Sequence, residues 1–516
     1  TKSLLTELKL NGIGNGIVKT LTKSLMSIKN LVNIILKHSG KAIESVIDMF
    51  AYTSLLIPVL NSVNFIVNKY ELTMDKLIYN LSGIAMGVLT LIVKHGVKEI
   101  IKRLGIKKVQ KEEILDNIED EFDDIDNDPS IHNLNDNIYG TFAEIGAGQE
   151  TVRQFFRAGG ASSTIAKSIS AYDKDFSDAI YGIEDDKRYV TENRLRKMLD
   201  WETSLIEQRL TRDKHPEKLF FSYANTVATI DFAKKFKGHG WVGLRFQIDP
   251  HGEYNEIILH IRFKENDARL QQETLGVLGT NLIYSAFYKY NQPKKILKYL
   301  YDNLNKDQLE IDTINFSGPV FTDVDNRLIS LQLVKGGMTD AVMFSPEGKN
   351  VLPAKILYKK NILALRGSFR PVTKVNVEMY LNSIKLFLKQ KNVDLEKTQV
   401  VFEITLSNLK TDGEIDEQDF LDRVDILCSL GYTVMISNYK KYYKVIEYLS
   451  QFSPSRMGLI IGVDSLIEMF EEKYYRNLNG GIMEAFGIIF TRDIKIYLYP
   501  YKPNDSSELL NSHNIP

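Results

Sequence analysis

The sequence predicts an α/β protein: a (β/α)-barrel-like or doubly wound, mostly parallel sheet preceded by an all-helical N-terminal domain. Three observations carry this. Apolar β-rich runs alternate with helix-spaced runs from residue 219 to residue 499, the texture of βαβ units. Charge changes abruptly near residue 130. Residues 1–110 carry a net +9, residues 111–136 a net −10, and the remainder is neutral within a chain of net charge −1. Finally, 516 residues exceed one ordinary core, so two or three domains are expected. The expected division is a basic helical domain over 1–110, an acidic linker over 111–137, and an α/β body over 138–516. The body opens with a glycine-rich helical stretch at 138–215.

In the basic domain, Leu21, Leu25, Ile28, Val32 and Ile35 fall in one stripe of a helix, with Lys19, Lys23, Lys29 and Lys37 mostly off it. Two uncharged stretches follow, Met49–Asn68 and Leu77–Val93, close to the roughly 17–25 residues that cross a bilayer. Lys94, Lys98, Lys102, Arg103, Lys107 and Lys108 come directly after the second, as in a positive-inside flank. Asn61, Ser62, Asn64, Asn80 and Ser82 weigh against insertion. Two readings therefore stand for 1–110: contact with a membrane surface, or a soluble helical bundle or module that makes a homo-oligomer. In the linker, Asp124, Asp126 and Asp128 alternate without the glycine and glutamate of a calcium loop, so a solvated segment is expected.

The strand-like runs of the body are 219–223, 241–246, 257–263, 311–316, 341–344, 400–406, 433–437, 457–463 and 494–499. Helical spacing fills 274–290, 294–304, 330–334, 377–390, 419–430, 442–452 and 466–475. The turn Asp249-Pro250-His251-Gly252 marks 241–263 as an antiparallel hairpin inserted in the series. Gly146-Ala147-Gly148 and Gly159-Gly160 precede helix-compatible runs. A glycine turn opening a helix can offer N–H groups to a phosphate, and small residues equally allow close packing. Neither turn continues as Gly-Lys-Ser/Thr or as GxGxxG.

Open sheets and barrels bind ligands at the carboxyl ends of their strands. That rule selects Asn225 and Thr226 after the first run, Ser317, and Asn438. It also places Glu403 in VVFEIT as a buried catalytic base, or as the partner of a nearby arginine. Arg366, Ser368 and Arg370 in RGSFRPVT suit an anion clamp, because guanidinium groups grip phosphate or carboxylate through two donors. His239, between glycines in KGHGWVG, is the best-placed histidine for acid–base work. The eight histidines are otherwise scattered, and HExxH, a cysteine pair and GxSxG are lacking, so no metal site or hydrolase triad is read. Cys428 lies in a helical pattern (Leu421, Val424, Leu427, Leu430) and reads as a buried thiol in a reducing compartment. No signal peptide is read, and the start at Thr1 reads as a processed or fragmentary end.

The segments YGTFAEIGAGQETVRQFFRAGGASSTIAKSISAYDKD (139–175), LQQETLGVLGTNLIY (270–284), VDNRLISLQLVKGGMTDAVMF (324–344), RGSFRPVT (366–373) and GEIDEQDFLDR (413–423) carry a resemblance. Residues 139–500 resemble an uncharacterised family of Bacteroidetes-type bacterial proteins whose members often bear the name nicotinate-nucleotide adenylyltransferase. The resemblance implies a GxFxPxHxGH-type phosphate loop. Gly140-Thr141-Phe142 matches its first three positions. Ala143–Gln149 has neither His nor Pro, so no catalytic residue carries over. Residues 1–130 fall outside the resemblance.

The expected function is binding of a phosphorylated or carboxylated small molecule, such as a nucleotide, by an enzyme of unassigned reaction and unknown cofactor. The alternative is a non-enzymatic assembly or membrane-associated protein anchored by its front domain. A cytoplasmic location, at a membrane or away from one, accompanies both. Nucleic acid is an unexpected partner, because the basic charge is confined to the front and lacks interleaved aromatics.

Overall fold

The computed structural model describes residues 135, 137–411, 413–453, 455–490, 493–502, 509–511 and 513–514. All lie in one compact unit, His132–Pro516. The basic stripe, the two apolar stretches and the acidic segment up to residue 134 lie outside the described residues.

The elements run β1 (Ile138–Ile145), α1 (Glu150–Ala158), β2 (Ile165–Ile169), α2 (Lys174–Tyr181), α3 (Glu192–Arg209), β3 (Leu219–Ala228), β4 (His239–Phe246), β5 (Asn255–Phe263), α4 (Ala268–Tyr288), α5 (Pro293–Tyr299) and β6 (Leu309–Ser317). Then come α6 (Asn326–Lys335), β7 (Ala341–Phe344), β8 (Asn350–Val351), α7 (Pro353–Leu357), β9 (Asn361–Arg366), α8 (Lys374–Phe387), β10 (Thr398–Thr405) and α9 (Leu406–Leu409). A small hairpin of β11 (Lys410–Thr411) and β12 (Glu414–Ile415) precedes α10 (Glu417–Ser429), β13 (Thr433–Ser437), α11 (Tyr442–Ser450), β14 (Met457–Gly462), α12 (Val463–Met469), α13 (Gly481–Phe490) and β15 (Ile494–Tyr499). Many helix starts are written in the sequence: Asp173, Thr191, Asp267, Asp325, Thr373 and Asp416 each accept a backbone N–H from the first turn they cap.

The strands form two larger sheets, each mixed. The first has the order β2-β1-β3-β4-β5-β6; β2, β1 and β3 are parallel, and β3 to β6 form an antiparallel meander. Side chains alternate between two buried faces. Phe142, Phe221, Tyr223, Val242, Leu244, Ile257 and Leu259 pack with Val152 and Phe155 of α1 and Leu275, Leu278 and Leu282 of α4. Ala143, Ala224, Trp241 and Ile258 face Leu195, Met198 and Leu199 of α3. Gly276 and Gly279 let α4 press on α1, since a Cβ at Gly279 would lie 2.3 Å from Thr151 Oγ1.

The second sheet has the order β15-β14-β9-β10-β13-β7-β8, with β15, β14, β9, β10 and β13 parallel and the β7–β8 edge antiparallel. One face packs on Phe387 of α8 and on Phe420, Val424 and Leu427 of α10. The other packs on Val445, Ile446 and Leu449 of α11 and on Ala485 and Ile489 of α13. From β9 the chain steps to β10 and β13, then returns to the far side of β9 with β14 and β15. Counted along the chain, the parallel strands stand in the order 5-4-1-2-3, a doubly wound arrangement whose direction reverses between β9 and β14. Asn350 of β8 joins the sheets by donating to the carbonyl of Ile314 on β6 at 3.2 Å.

The α/β class stands. The barrel alternative does not: both sheets are open, and the antiparallel pairs β3–β4, β4–β5, β5–β6 and β7–β13 cannot belong to an all-parallel barrel. The glycine-rich stretch after residue 138 is not simply helical, because it also holds β1 and β2. Those strands and β9 escape the sequence patterning. β1 carries Gly140, Thr141 and Glu144 in its interior and becomes a strand because β2 and β3 flank it and helices cover its faces.

Candidate functional site

The direction reversal of the second sheet places the carboxyl ends of β9 and β14 side by side. Arg366 ends β9, and Glu403 lies in register beside it on β10. The guanidinium donates from Nε and from Nη2 to the two carboxylate oxygens at 2.7 Å each, and again from Nη2 to the carbonyl of Tyr439 at 2.8 Å. Ser437 Oγ donates to the same carboxylate. The Arg366 side chain is 8% exposed and that of Glu403 1%. Burial opposes the arginine's charge, but the Glu403 carboxylate outweighs it and holds the guanidinium above its ordinary range. The Tyr442 ring lies 4.6 Å from the guanidinium carbon. Among the described residues, Nη1 of Arg366 has no protein partner.

Glu403 therefore has both oxygens engaged in holding Arg366. Arg370 points elsewhere, 3.2 Å from Asp419, so the two arginines do not converge on one point. Ser368 is exposed, and its carbonyl accepts from Arg423. Asn438 is also exposed, and its backbone N–H donates to the Asp340 carbonyl at 2.9 Å. After Asn438 come Lys440 and Lys441. Burial, followed by the charge of Lys440, lowers the pKa of Lys441. The nine-residue helix α11 starts behind them without a side-chain cap.

The first sheet distributes its residues differently. Asn225 and Thr226 lie near the carboxyl end of β3 and are fully buried. Thr226 Oγ1 donates to the carbonyl of Tyr189, and Asn225 Nδ2 donates to Glu144 at 3.2 Å. Glu144 occupies the start of α1: its oxygens accept from the backbone N–H groups of Thr151 at 3.0 Å and Val152 at 2.9 Å. The turn Gly146-Ala147-Gly148 thus faces a carboxylate of its own chain where a phosphate would sit. Ser317 lies at the opposite end of this sheet. β3 runs up, β4 down, β5 up and β6 down, so Ser317 pairs with Glu256 while Ala228 pairs with His239. The carboxyl-end rule misplaces it because that rule presumes parallel strands.

His239 opens β4, directly opposite Arg262 of β5. Its Nδ1 lies 3.3 Å from Nε2 of His260, whose Nδ1 lies 2.7 Å from Asp312 Oδ1. Burial, then the charge of His260, lowers the pKa of His239 to about 4, against an opposing pull from Asp312. Sequence reasoning missed His260, Asp312, Ser437, Tyr439 and Tyr442. A polar residue inside an apolar strand-like run was the signal for His260, in IILHIRF, and for Asp312, in IDTINF; Ser437, Tyr439 and Tyr442 carried none.

The described residues define a mixed α/β protein with a charged pair at the direction reversal of a doubly wound sheet. No family model and no curated protein matches the chain. Among solved structures it is similar to the crystal structure of competence/damage inducible protein CihA from Agrobacterium tumefaciens, at 14% identity over 31% of this chain and 93% of that one, with a TM-score of 0.22, too low to carry an argument. Among the described residues, no helix is long and apolar enough to cross a membrane.

Proposed function

We propose that this protein binds a small anionic molecule, phosphorylated or carboxylated, at the carboxyl edge of the second sheet between β9 and β14. The observation that carries the reading is the unspent Nη1 of Arg366, held by Glu403 and Tyr439 at a position where doubly wound sheets take their ligands. A guanidinium already fixed on two sides loses little freedom when it binds, which favours affinity. Because Glu403 neutralises Arg366, the ligand's charge falls to Lys440 and Lys441 on the loop after β13. Glu403 serves in this reading as the group that orients Arg366. Nucleotides and sugar phosphates are the natural classes to examine.

The test is native mass spectrometry of the purified full chain for a co-purifying molecule, then calorimetric titration with inorganic phosphate. Arg366→Lys keeps a cation beside Glu403 but removes Nη1. It should weaken binding by about tenfold, roughly 1.4 kcal/mol. Equal affinity in the variant would reject this site.

A further inference from the structure

We infer that His239, His260 and Asp312 form a proton relay in which His239 Nε2 is a general base that activates water or an alcohol for attack on an anionic ester oriented by Arg262. This is a second site on the first sheet and does not depend on the ligand proposed for Arg366.

The sheet builds the relay at a specific irregularity. Thr313 pairs with His260 and Ile311 with Ile261, which leaves Asp312 as the extra residue of a β-bulge. Bulges re-aim side chains and recur beside active sites. Here the bulged Asp312, 6% exposed, meets the Nδ1 of His260, itself 3% exposed. Trp241 lies directly opposite His260 and packs edge-on against its ring, with centroids 5.0 Å apart.

The protonation pattern follows from these partners. A carboxylate only accepts, so His260 carries its proton on Nδ1; with its ring neutral, the resting state of the relay, Nε2 is bare. That nitrogen accepts from His239, so His239 is protonated on Nδ1, and its own Nε2 is bare. Among the described residues that Nε2 has no protein partner. His239 is half-buried and follows the loop 229–238, in which Phe232, Lys234, Lys235, Phe236 and Lys237 are exposed.

The step balances. The O–H proton of water or an alcohol passes to His239 Nε2 as the oxygen's electron pair attacks the electrophilic carbon of an ester. The Nδ1 proton of His239 moves to His260 Nε2, and the resulting imidazolium lies against the Asp312 carboxylate. The proton returns along the same path to the departing alkoxide. Asp312 and His260 are positioning residues that stabilise the transferred charge, as in other histidine–carboxylate pairs. Arg262, 25% exposed, is held loosely, by a 4.0 Å contact with Glu310, a 3.4 Å donation to Gln451 and the Phe452 ring 6.0 Å from its guanidinium carbon, so it can turn toward an anion beside His239. Tyr448 of α11 is buried near this group; burial and then the charges of Glu310 and Asp312 keep it a neutral phenol.

The test uses the full chain and mono-p-nitrophenyl succinate, an activated ester that carries one carboxylate. His239→Ala should lower kcat/KM about a hundredfold, the lower end of general-base effects. Arg262→Gln should raise KM with kcat nearly kept. Asp312→Asn should lower kcat and move the acid limb of the pH profile to lower pH, because Asp312 holds the His239 pKa up; a purely structural role would leave that limb in place. Hydrolysis no faster than that of His239→Ala overturns the proposal. A second measurement needs no variant. Diethylpyrocarbonate modifies bare imidazole nitrogen, and its sites can be mapped by peptide mass. His239 should react about as fast at pH 5.5 as at pH 7.5, while histidines titrating near the ordinary 6.5 slow about fivefold or more. A His239 that stays unmodified, or slows with the others, overturns it too.

Discussion

Arg366 and Glu403 meet as register partners on adjacent parallel strands, joined by two hydrogen bonds of 2.7 Å between side chains that are almost wholly buried. Removing one member leaves the other charged and unpaired in the interior. Arg366→Ala should cost about 3–5 kcal/mol, whereas the joint replacement Arg366→Met with Glu403→Leu should recover much of that loss. Urea denaturation of both proteins checks this. A double variant no more stable than the single one would mean that Ser437 and Tyr439, not the missing charge, set the cost.

Glu144 is a fully buried carboxylate that closes the start of α1. Glu144→Ala orphans two buried N–H groups and should cost about 1–3 kcal/mol for each. Burial raises the Glu144 pKa above its ordinary 4.5, against the bonds from Val152, Thr151 and Asn225. The folded chain therefore holds this proton more tightly than the unfolded chain. Its contribution to stability is full below about pH 4.5 and declines as pH rises through the folded pKa. Glu144→Gln should flatten that decline. Denaturation midpoints from pH 4.5 to pH 8 measure it, and an equal slope in the variant would assign the dependence to other groups.

Gly146 has φ +98°, and a Cβ there would fall 1.8 Å from the carbonyl oxygen of Val227. Gly146→Ala combines left-handed strain with a backbone clash across β1 and β3. A loss of at least about 3 kcal/mol is expected, at the severe end for a single substitution. Thermal unfolding reads this directly, and a near-wild-type midpoint would contradict the close approach.

Cys428 is 6% exposed, and burial lifts its pKa to about 11. Its thiolate fraction at pH 7.5 is very small, so a thiol-disulfide reagent should label the native chain far more slowly than the urea-unfolded one. Equal rates would place this thiol at the surface.

The sequence by itself determined what depends on neighbours along the chain. The helix start at Asp416 was legible because a cap acts within three residues, whereas spacing alone began the helices capped by Asp267 and Asp325 late, at 274 and 330; most strands were legible because burial writes a run of apolar side chains. Arg366 and Glu403 were each singled out, Glu403 on a strand-like run and Arg366 in a glycine-containing segment whose strand, β9, went unread. Tertiary structure alone decided which partner each group met. The chain's spacing does not encode strand direction, so Ser317 went to the far end of its sheet while His239 stayed with Arg262. Nor does it encode register, so one extra residue at Asp312 created the contact with His260. The start of α1 followed the same rule: Glu144 reached it from β1 and took the position that the glycines alone would have offered to a phosphate. Periodicity and capping are local energies. The pairing of strands is a choice among many arrangements with similar local energies, settled only when both faces of both sheets are buried.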